Sequence, residues 1–379
     1  MNMNTEKMIY ADNAATTKLD IDAFEAMKPF LLDEYGNASQ PYSFARKPKQ
    51  ALKEARAIIA QCINAEPEEI YFTSGGTESD NWAIKGTAFV NGKSRAIVTS
   101  QIEHHAILKA CEAVEKLGYP VAYLPVDKAG IVTTEALKSV ITSNTGLVSV
   151  MLANNEVGTI EPIKNLCAIA HQYGALFHTD AVQAVGHIGV DVKELGVDLL
   201  SASAHKFNGP KGIGFLYVKK GTPIAQYSNG GSQEFGLRAG TENVASIVGM
   251  AVALKKNCDA IEENSKHMGL LEAKLLDGLS ESGVDFIRNG ATQRVPGNIS
   301  LSFRGADGEA LLHRLDLMGI CVSTGAACDT VNTKVSHVLK AMNIDREYAT
   351  GTIRISLCMH NTQEEIDRIF QCIMKIMKS

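Results

Sequence analysis

Ser203-Ala204-His205-Lys206 places an amine beside a hydroxyl and an imidazole, between an apolar run at 197–200 and the glycine-rich turn Gly209-Pro210-Lys211-Gly212-Ile213-Gly214. Held on a turn between two strands, Lys206 would lose hydration in a crowded polar pocket and its pKa would fall. Such an amine can form a Schiff base with a carbonyl group. Other side chains able to do chemistry stand just after apolar runs. Asp180 follows 176–179, with Gln183 three residues further on; Asn155 follows 146–151; His104 opens a helical stretch. Ser74-Gly75-Gly76-Thr77-Glu78-Ser79 joins a strand to a helix, so its free backbone N–H groups and the positive end of the helix dipole suit an anion. No Gly-Lys-Ser/Thr follows, so it is not a Walker A loop. Cys328 comes after Gly325-Ala326-Ala327 in a polar stretch without hydrophobic period, which suggests an exposed, mobile loop with a reactive thiol.

The elements that must position these groups alternate. Extended stretches are expected at 8–10, 69–73, 96–100, 121–125, 146–151 and 176–179, and helices at 22–34, 48–63, 80–89, 104–117 and 163–173. The alternation argues for a mainly parallel sheet clad by helices on both faces. Ligands bind such sheets outside the carboxyl ends of the strands, and the polar clusters fall there. Asp180 can act as a helix N-cap or pair with a protonated pyridine nitrogen. His104 can start a helix or stack on a flat ring, and the amides of Gln183 and Asn155 can reach a ring hydroxyl. Beside Lys206 and a phosphate-suited turn, these groups describe a pyridoxal phosphate site. A glycine-rich loop at 230–243 suits an interface or functional role. A helical stretch at 245–282 bridges to a second, α+β unit.

A chain of 379 residues calls for one large domain plus a smaller one. Hydrophobic content of 45% with 21% charged residues is ordinary for a soluble globular protein. The net charge of −5 offers no basic footprint for nucleic acid. No apolar run is long enough to span a bilayer, and the first residues lack the apolar core of a secretory signal. Eight scattered cysteines form no CxxC pair, and no His/Cys spacing suggests a metal site. A reducing cytoplasm fits this usage.

Taken together, YADNAATT, FTSGGTESDN, EHHAIL, NNEVGTI, HTDAVQAVG, SAHKFNGPKGIG, GLRAGTEN, STGAACDT, SHVL and GTIRISL resemble the cysteine desulfurases of the NifS/IscS type. These are class V members of the fold-type I pyridoxal phosphate enzymes, and the likeness covers nearly the whole chain. It implies an α/β fold with a mainly parallel seven-stranded sheet. The large cofactor-binding domain would be 16–260. The small domain would be 1–15 with 261–379, carrying a mobile catalytic-cysteine loop at about 324–335. By the same resemblance Lys206 carries pyridoxal 5'-phosphate, His104 stacks on the ring, and Asp180 pairs with the pyridine nitrogen. Gln183 and Asn155 hold the hydroxyl side; Gly76, Thr77, Ser203 and His205 bind the phosphate. Thr241 is contributed by the neighbouring subunit of a homodimer. Arg354, with Asn155 and Asn13, takes the substrate carboxylate. The implied reaction converts L-cysteine to L-alanine and leaves a persulfide on Cys328 for an acceptor protein, such as an Fe–S scaffold or a thiolation enzyme. His104 serves as an acid/base. A selenocysteine lyase or another class V aminotransferase-type enzyme is the alternative. Two departures stand out. Asn37-Ala38-Ser39-Gln40-Pro41-Tyr42 lacks the histidine of the usual Asn-Pro-Ser-Ser-x-His segment, and the end at Ser379 leans toward a NifS-like or specialised member.

Overall fold

The computed structural model describes residues 8–324 and 335–378; Cys328 lies outside the described residues. A two-residue strand, β1 (Ile9–Tyr10), opens the chain. Seven strands then build the main sheet: β2 (Ile70–Thr73), β3 (Ala96–Ser100), β4 (Val121–Leu124), β5 (Thr145–Ser149), β6 (Leu176–Asp180), β7 (Leu199–Ser203) and β8 (Gly214–Val218). Residues of β5, β7 and β8 are buried from end to end, as strands covered on both faces must be. The order is β2-β8-β7-β6-β5-β3-β4. All neighbours run parallel except β8, which is antiparallel to β2 and β7. This is the expected mainly parallel α/β sheet of seven strands.

Strand order reverses between β3 and β5, because the chain crosses from β3 outward to β4 and returns on the other side. A crevice opens at such a switch point, outside the strand ends. The stretches after β3 and β5 carry His104 and Asn155. Helices α1 (Ile21–Leu32) and α2 (Arg46–Cys62) pack against the helix Val244–Asp259, while α3 (Gly76–Asn91) packs against α4 (His105–Lys116).

Three local expectations need correcting. α3 starts at Gly76, not near 80, so Gly76 and Thr77 are its first turn rather than part of the loop. Gly75 at φ +146° makes this possible, since it reverses the chain where a Cβ would be strained. Gln183 sits in consecutive turns rather than a helix: the amides of Ala184 and Val185 both donate to the Ala181 carbonyl, and Gly186 at φ +81° ends the run. The stretch 245–282 is two helices, Val244–Asp259 and Ile261–Glu281. Ala260, at φ −111° and ψ 10°, ends one and begins the other.

Beyond that break, β9 (Phe286–Arg288), β10 (Asn298–Phe303), β11 (Ile320–Cys321) and β12 (Thr352–Ser356) follow. β9, β10 and β12 form an antiparallel sheet in the order β12-β10-β9, and β11 pairs in parallel with β1. Leu271, Leu301, Phe303, Ile353 and Ile369 belong to an apolar cluster separate from those packed on the main sheet. Residues 11–17 tie the two together: Ser356 donates its amide to the Ala11 carbonyl, and Thr17 donates to the His205 carbonyl. Among the described residues, no helix is long and apolar enough to cross a membrane.

Candidate active site

A pocket of about 350 Å³ opens at the carboxyl ends of the main-sheet strands. Lys206 ends the short 3₁₀ turn Ala204–Lys206 directly after β7. Its Nζ donates to the carbonyls of Ala14 and Ala15, both at 2.8 Å. The strap 11–17 therefore closes one side of the pocket and aims the amine inward. His205 meets the same strap, its Nδ1 lying 3.1 Å from Thr16 Oγ1. Burial, with the charges of Lys206 and Lys211 adding to it, lowers the His205 pKa to about 4.

At the far end of β6 stands Asp180, 4% exposed. Its Oδ1 accepts from the Val182 amide at 2.9 Å. Burial raises its pKa to about 6 against the lowering effects of that hydrogen bond and of Lys206. His104 takes both roles open to it. Its Nδ1 accepts the Ala106 amide at 3.1 Å as the N-cap of α4, while the ring lines the pocket. Burial lowers its pKa to about 4, with Lys206 and His105 contributing, so near neutrality the ring carries its single proton on Nε2.

The phosphate-suited end is built from α3 and β7. Gly75, the residue preceding α3, supplies no side-chain cap, which leaves first-turn amides for a ligand. The approach is close enough to demand glycine: a Cβ on Gly76 would lie 2.7 Å from Val182 Cγ2 and 3.5 Å from Ser203 Cβ. Gly76, Thr77, Ser203 and His205 line the same pocket as Asp180 and Lys206. An amine, a buried carboxylate, a flat imidazole and an anion cradle thus surround one cavity, and the donor set fits pyridoxal 5'-phosphate.

Gln183 lines the pocket and donates through Nε2 to the Ala14 carbonyl at 2.9 Å; Asn155 lines it too. Arg354, on β12, reaches in from the second sheet and is 5% exposed. It donates to Asp12 Oδ1 at 2.7 Å and to the Asn155 carbonyl at 2.9 Å, while its buried Nε has no hydrogen-bond partner among the described residues.

Two expected residues lie elsewhere. Asn13 donates through Nδ2 to the Ser356 carbonyl at 2.9 Å and lines an adjoining smaller cavity. The chain turns at 12–15, with the Ala15 amide donating to the Asp12 carbonyl, and it is Asp12 that faces the Lys206 pocket. Thr241 lines a separate cavity with Ser74, Gly212 and Arg238. Cys328 is outside the described residues, although Ser323 and His337, on either side of 325–334, both border the Lys206 pocket.

Sequence reasoning also missed Asp12, Asp80 and Glu103. Asp80 is 1% exposed and lines the pocket beneath α3. Glu103, just before His104, accepts from Ser100 Oγ at 2.5 Å and from the Met151 amide at 3.0 Å, and burial raises its pKa to about 8. Nothing in the residues around Asp80 or Glu103 marks them out in the sequence, since both stand among other polar residues and only their burial sets them apart.

Comparison with known proteins adds the following. The aminotransferase class-V family profile matches residues 9–369. "Cysteine desulfurase IscS" of Dictyoglomus turgidum is 47% identical over 375 residues, covering 98% of this chain and 95% of that protein. A solved "NifS-like protein" superposes with a TM-score of 0.92 at 40% identity, covering 98% of this chain and all of that one. A structure described as "SspA in complex with cysteine" gives 0.83 at 33% identity, covering 93% and 100%.

Proposed function

The chain belongs to the class-V aminotransferase family, and from that premise we propose that it is a pyridoxal 5'-phosphate-dependent cysteine desulfurase. It takes sulfur from L-cysteine, releases L-alanine and passes the sulfur on. The observation that carries this reading is a single pocket with Lys206 and Asp180 around one cavity and the open first turn of α3 beside them. Bound there, the cofactor supplies an electron sink for the pair left at the substrate α-carbon when its proton leaves.

The residues divide the remaining work. Gly76 and Thr77 amides, with Ser203 and His205, hold the phosphate, and Thr241 of a second copy adds to it. Asp180, ionised, would pair with the ring nitrogen, and His104 would hold the ring with its Nε2 proton available to an acid/base step. Gln183 and Asn155 hold the hydroxyl edge. Lys206 would hold the cofactor's carbonyl carbon, and its amine would be placed to move the α-proton of the substrate. Arg354 takes the substrate carboxylate, with Nε unpartnered among the described residues and Asp12 fixing the guanidinium. Asn13 is left a structural part, tying the strap to Ser356.

The Cys328 thiolate then attacks the substrate sulfur. A sulfur–sulfur bond forms and the carbon–sulfur bond breaks. Its electron pair stays with the three-carbon fragment, which is protonated to alanine, and the persulfide remains on the protein. Ser323 and His337, the described residues near either end of 325–334, border the pocket.

The division into a 16–260 domain and a 1–15 plus 261–379 domain is supported by the helix break at Ala260 and by an apolar cluster drawn from the second unit. Ile102, Met151 and Val157 also pack with Val338, Leu339 and Met342 across the division. A homodimer is supported by exposed Leu31, Leu32, Tyr35 and Phe44, and by the separation of Thr241 from Lys206 within one chain. A cytoplasmic setting, with an Fe–S scaffold or thiolation enzyme as acceptor, completes the reading. The test is Cys328→Ala: the yellow absorbance of bound cofactor stays and alanine release from L-cysteine disappears. Normal alanine turnover in that variant would remove Cys328 from the reaction.

A further inference from the structure

Asp80 lies in the second turn of α3, nearly sealed from solvent, and among the described residues its Oδ1 has no hydrogen-bond partner. Ligating atoms of Asp80, Asp180 and His104 lie within 4.8 Å of one another. Asp80 Oδ1 is also 3.9 Å from His178 Nε2. That nitrogen shares a hydrogen bond with Ser201 Oγ at 2.9 Å, and His178 Nδ1 another with Ser149 Oγ at 2.9 Å. Burial lowers the His178 pKa to about 3, so the imidazole is neutral and supplies no positive charge. Glu103, the other acid acting on Asp80, is itself held protonated near neutrality by burial.

Two carboxylates this close, walled in by neutral groups, do not both ionise. Lys206 acts on Asp180 from across the pocket, and the ring nitrogen that Asp180 would face brings a second positive partner. Asp80 has neither. Burial first, then the nearby Asp180 charge, raises its pKa well above the ordinary carboxylate value, against a hydrogen bond from Ser201. The proton of the pair therefore belongs on Asp80.

We propose that Asp80 is a positioning residue for the desulfurase reaction: it holds the single proton of an Asp80–Asp180 pair and leaves Asp180 the one anion under the ring nitrogen. The inference rests on the cofactor reading above and adds to it a residue that keeps the Asp180 charge in place. It acts through Asp180 and touches no reacting atom.

Asparagine is a near isostere of a protonated aspartic acid and keeps a donor; alanine keeps neither shape nor donor. Purified apoproteins of wild type, Asp80→Asn and Asp80→Ala are titrated with pyridoxal 5'-phosphate, and the loaded forms are followed by absorbance as pH falls. Asp80→Asn is expected to bind within about threefold of wild type with its acid midpoint unmoved. Asp80→Ala is expected to bind about tenfold more weakly, with the midpoint raised by about one pH unit, because the polar neighbour that supports the Asp180 charge is gone. If Asp80→Asn loses cofactor as strongly as alanine, Asp80 works as an anion and the proposal fails. Wild-type behaviour in both variants overturns it too. So does cofactor binding that a chelator abolishes and a divalent cation restores, which would make the three ligating groups a metal site. Should the alanine variant not fold, as judged by its melting transition, the asparagine comparison still decides. If wild-type protein itself binds no cofactor, it is the functional reading that falls.

Discussion

Arg354 shows how much of this site is decided side chain by side chain. Its two terminal nitrogens are already engaged by Asp12 and the Asn155 carbonyl, so the guanidinium is held in a fixed plane for the substrate carboxylate proposed above. Lysine at this position would keep the charge and lose the fork. Arg354→Lys is expected to lower kcat/KM for L-cysteine roughly ten- to a hundredfold. Cofactor absorbance should stay unchanged, which steady-state kinetics with spectra will check. Glu103 makes a different prediction. Its folded-state pKa is raised to about 8, whereas in the unfolded chain it ionises near 4.5. Folding therefore costs more as pH rises between those values, because only the unfolded chain gains by losing the proton. In Glu103→Gln that penalty is absent, so the melting temperature of the variant relative to wild type should climb from pH 5 to pH 8. A flat difference across that range would mean Glu103 is ionised in the fold.

At the scale of elements, the anion cradle depends on three chain segments touching without side chains between them. A Cβ on Gly214, the first residue of β8, would strike the Ala202 carbonyl and lie 2.8 Å from Gly75 Cα. Gly214→Ala is thus expected to destabilise the protein by about 1–3 kcal/mol and to weaken cofactor binding by shifting the start of α3. Thermal melts and cofactor titration report the two effects separately. The segment leading to Thr241 has its own anchor. Arg56 of α2 lies over the rings of Phe72 and Phe235 and pairs with Glu234, 2.7 Å between Nη2 and Oε1. Glu234 also accepts the Phe72 amide of β2 at 2.8 Å. This pairing holds Glu234 and Phe235 at φ +45° and +55°, values that non-glycine residues adopt rarely. Arg56→Met leaves a buried carboxylate unpaired, with an expected loss of about 3–5 kcal/mol in denaturant unfolding.

For the whole molecule, the site is a meeting of parts far apart in the chain. Asp12 and Lys206 come from positions 194 residues apart, and Arg354 arrives from a different sheet. Because Thr241 opens onto another cavity in its own chain, its proposed contact with the phosphate requires two copies. Thr241→Val is accordingly expected to weaken cofactor binding severalfold, with its sedimentation unchanged from wild type. Full affinity in that variant would confine the site to one chain.

The amino-acid sequence alone was enough to identify the alternation of strand and helix, the polar ends of the strands and the lysine among them, because each is a local pattern of residue types. It also marked Asp180, His104 and the Gly75-Gly76 turn as candidates. Other features depend on contacts between distant segments. Whether Asn13 or Asp12 faces the pocket turns on how the strap lies against β12. That α3 begins at Gly76 depends on the close approach of Gly214 and Ser203. The pairing of Asp80 with Asp180 was invisible in sequence because 100 positions separate them and only the sheet brings them together. Local propensity decides which elements form. The burial and charge that set a proton on one acid rather than another arise only when those elements pack.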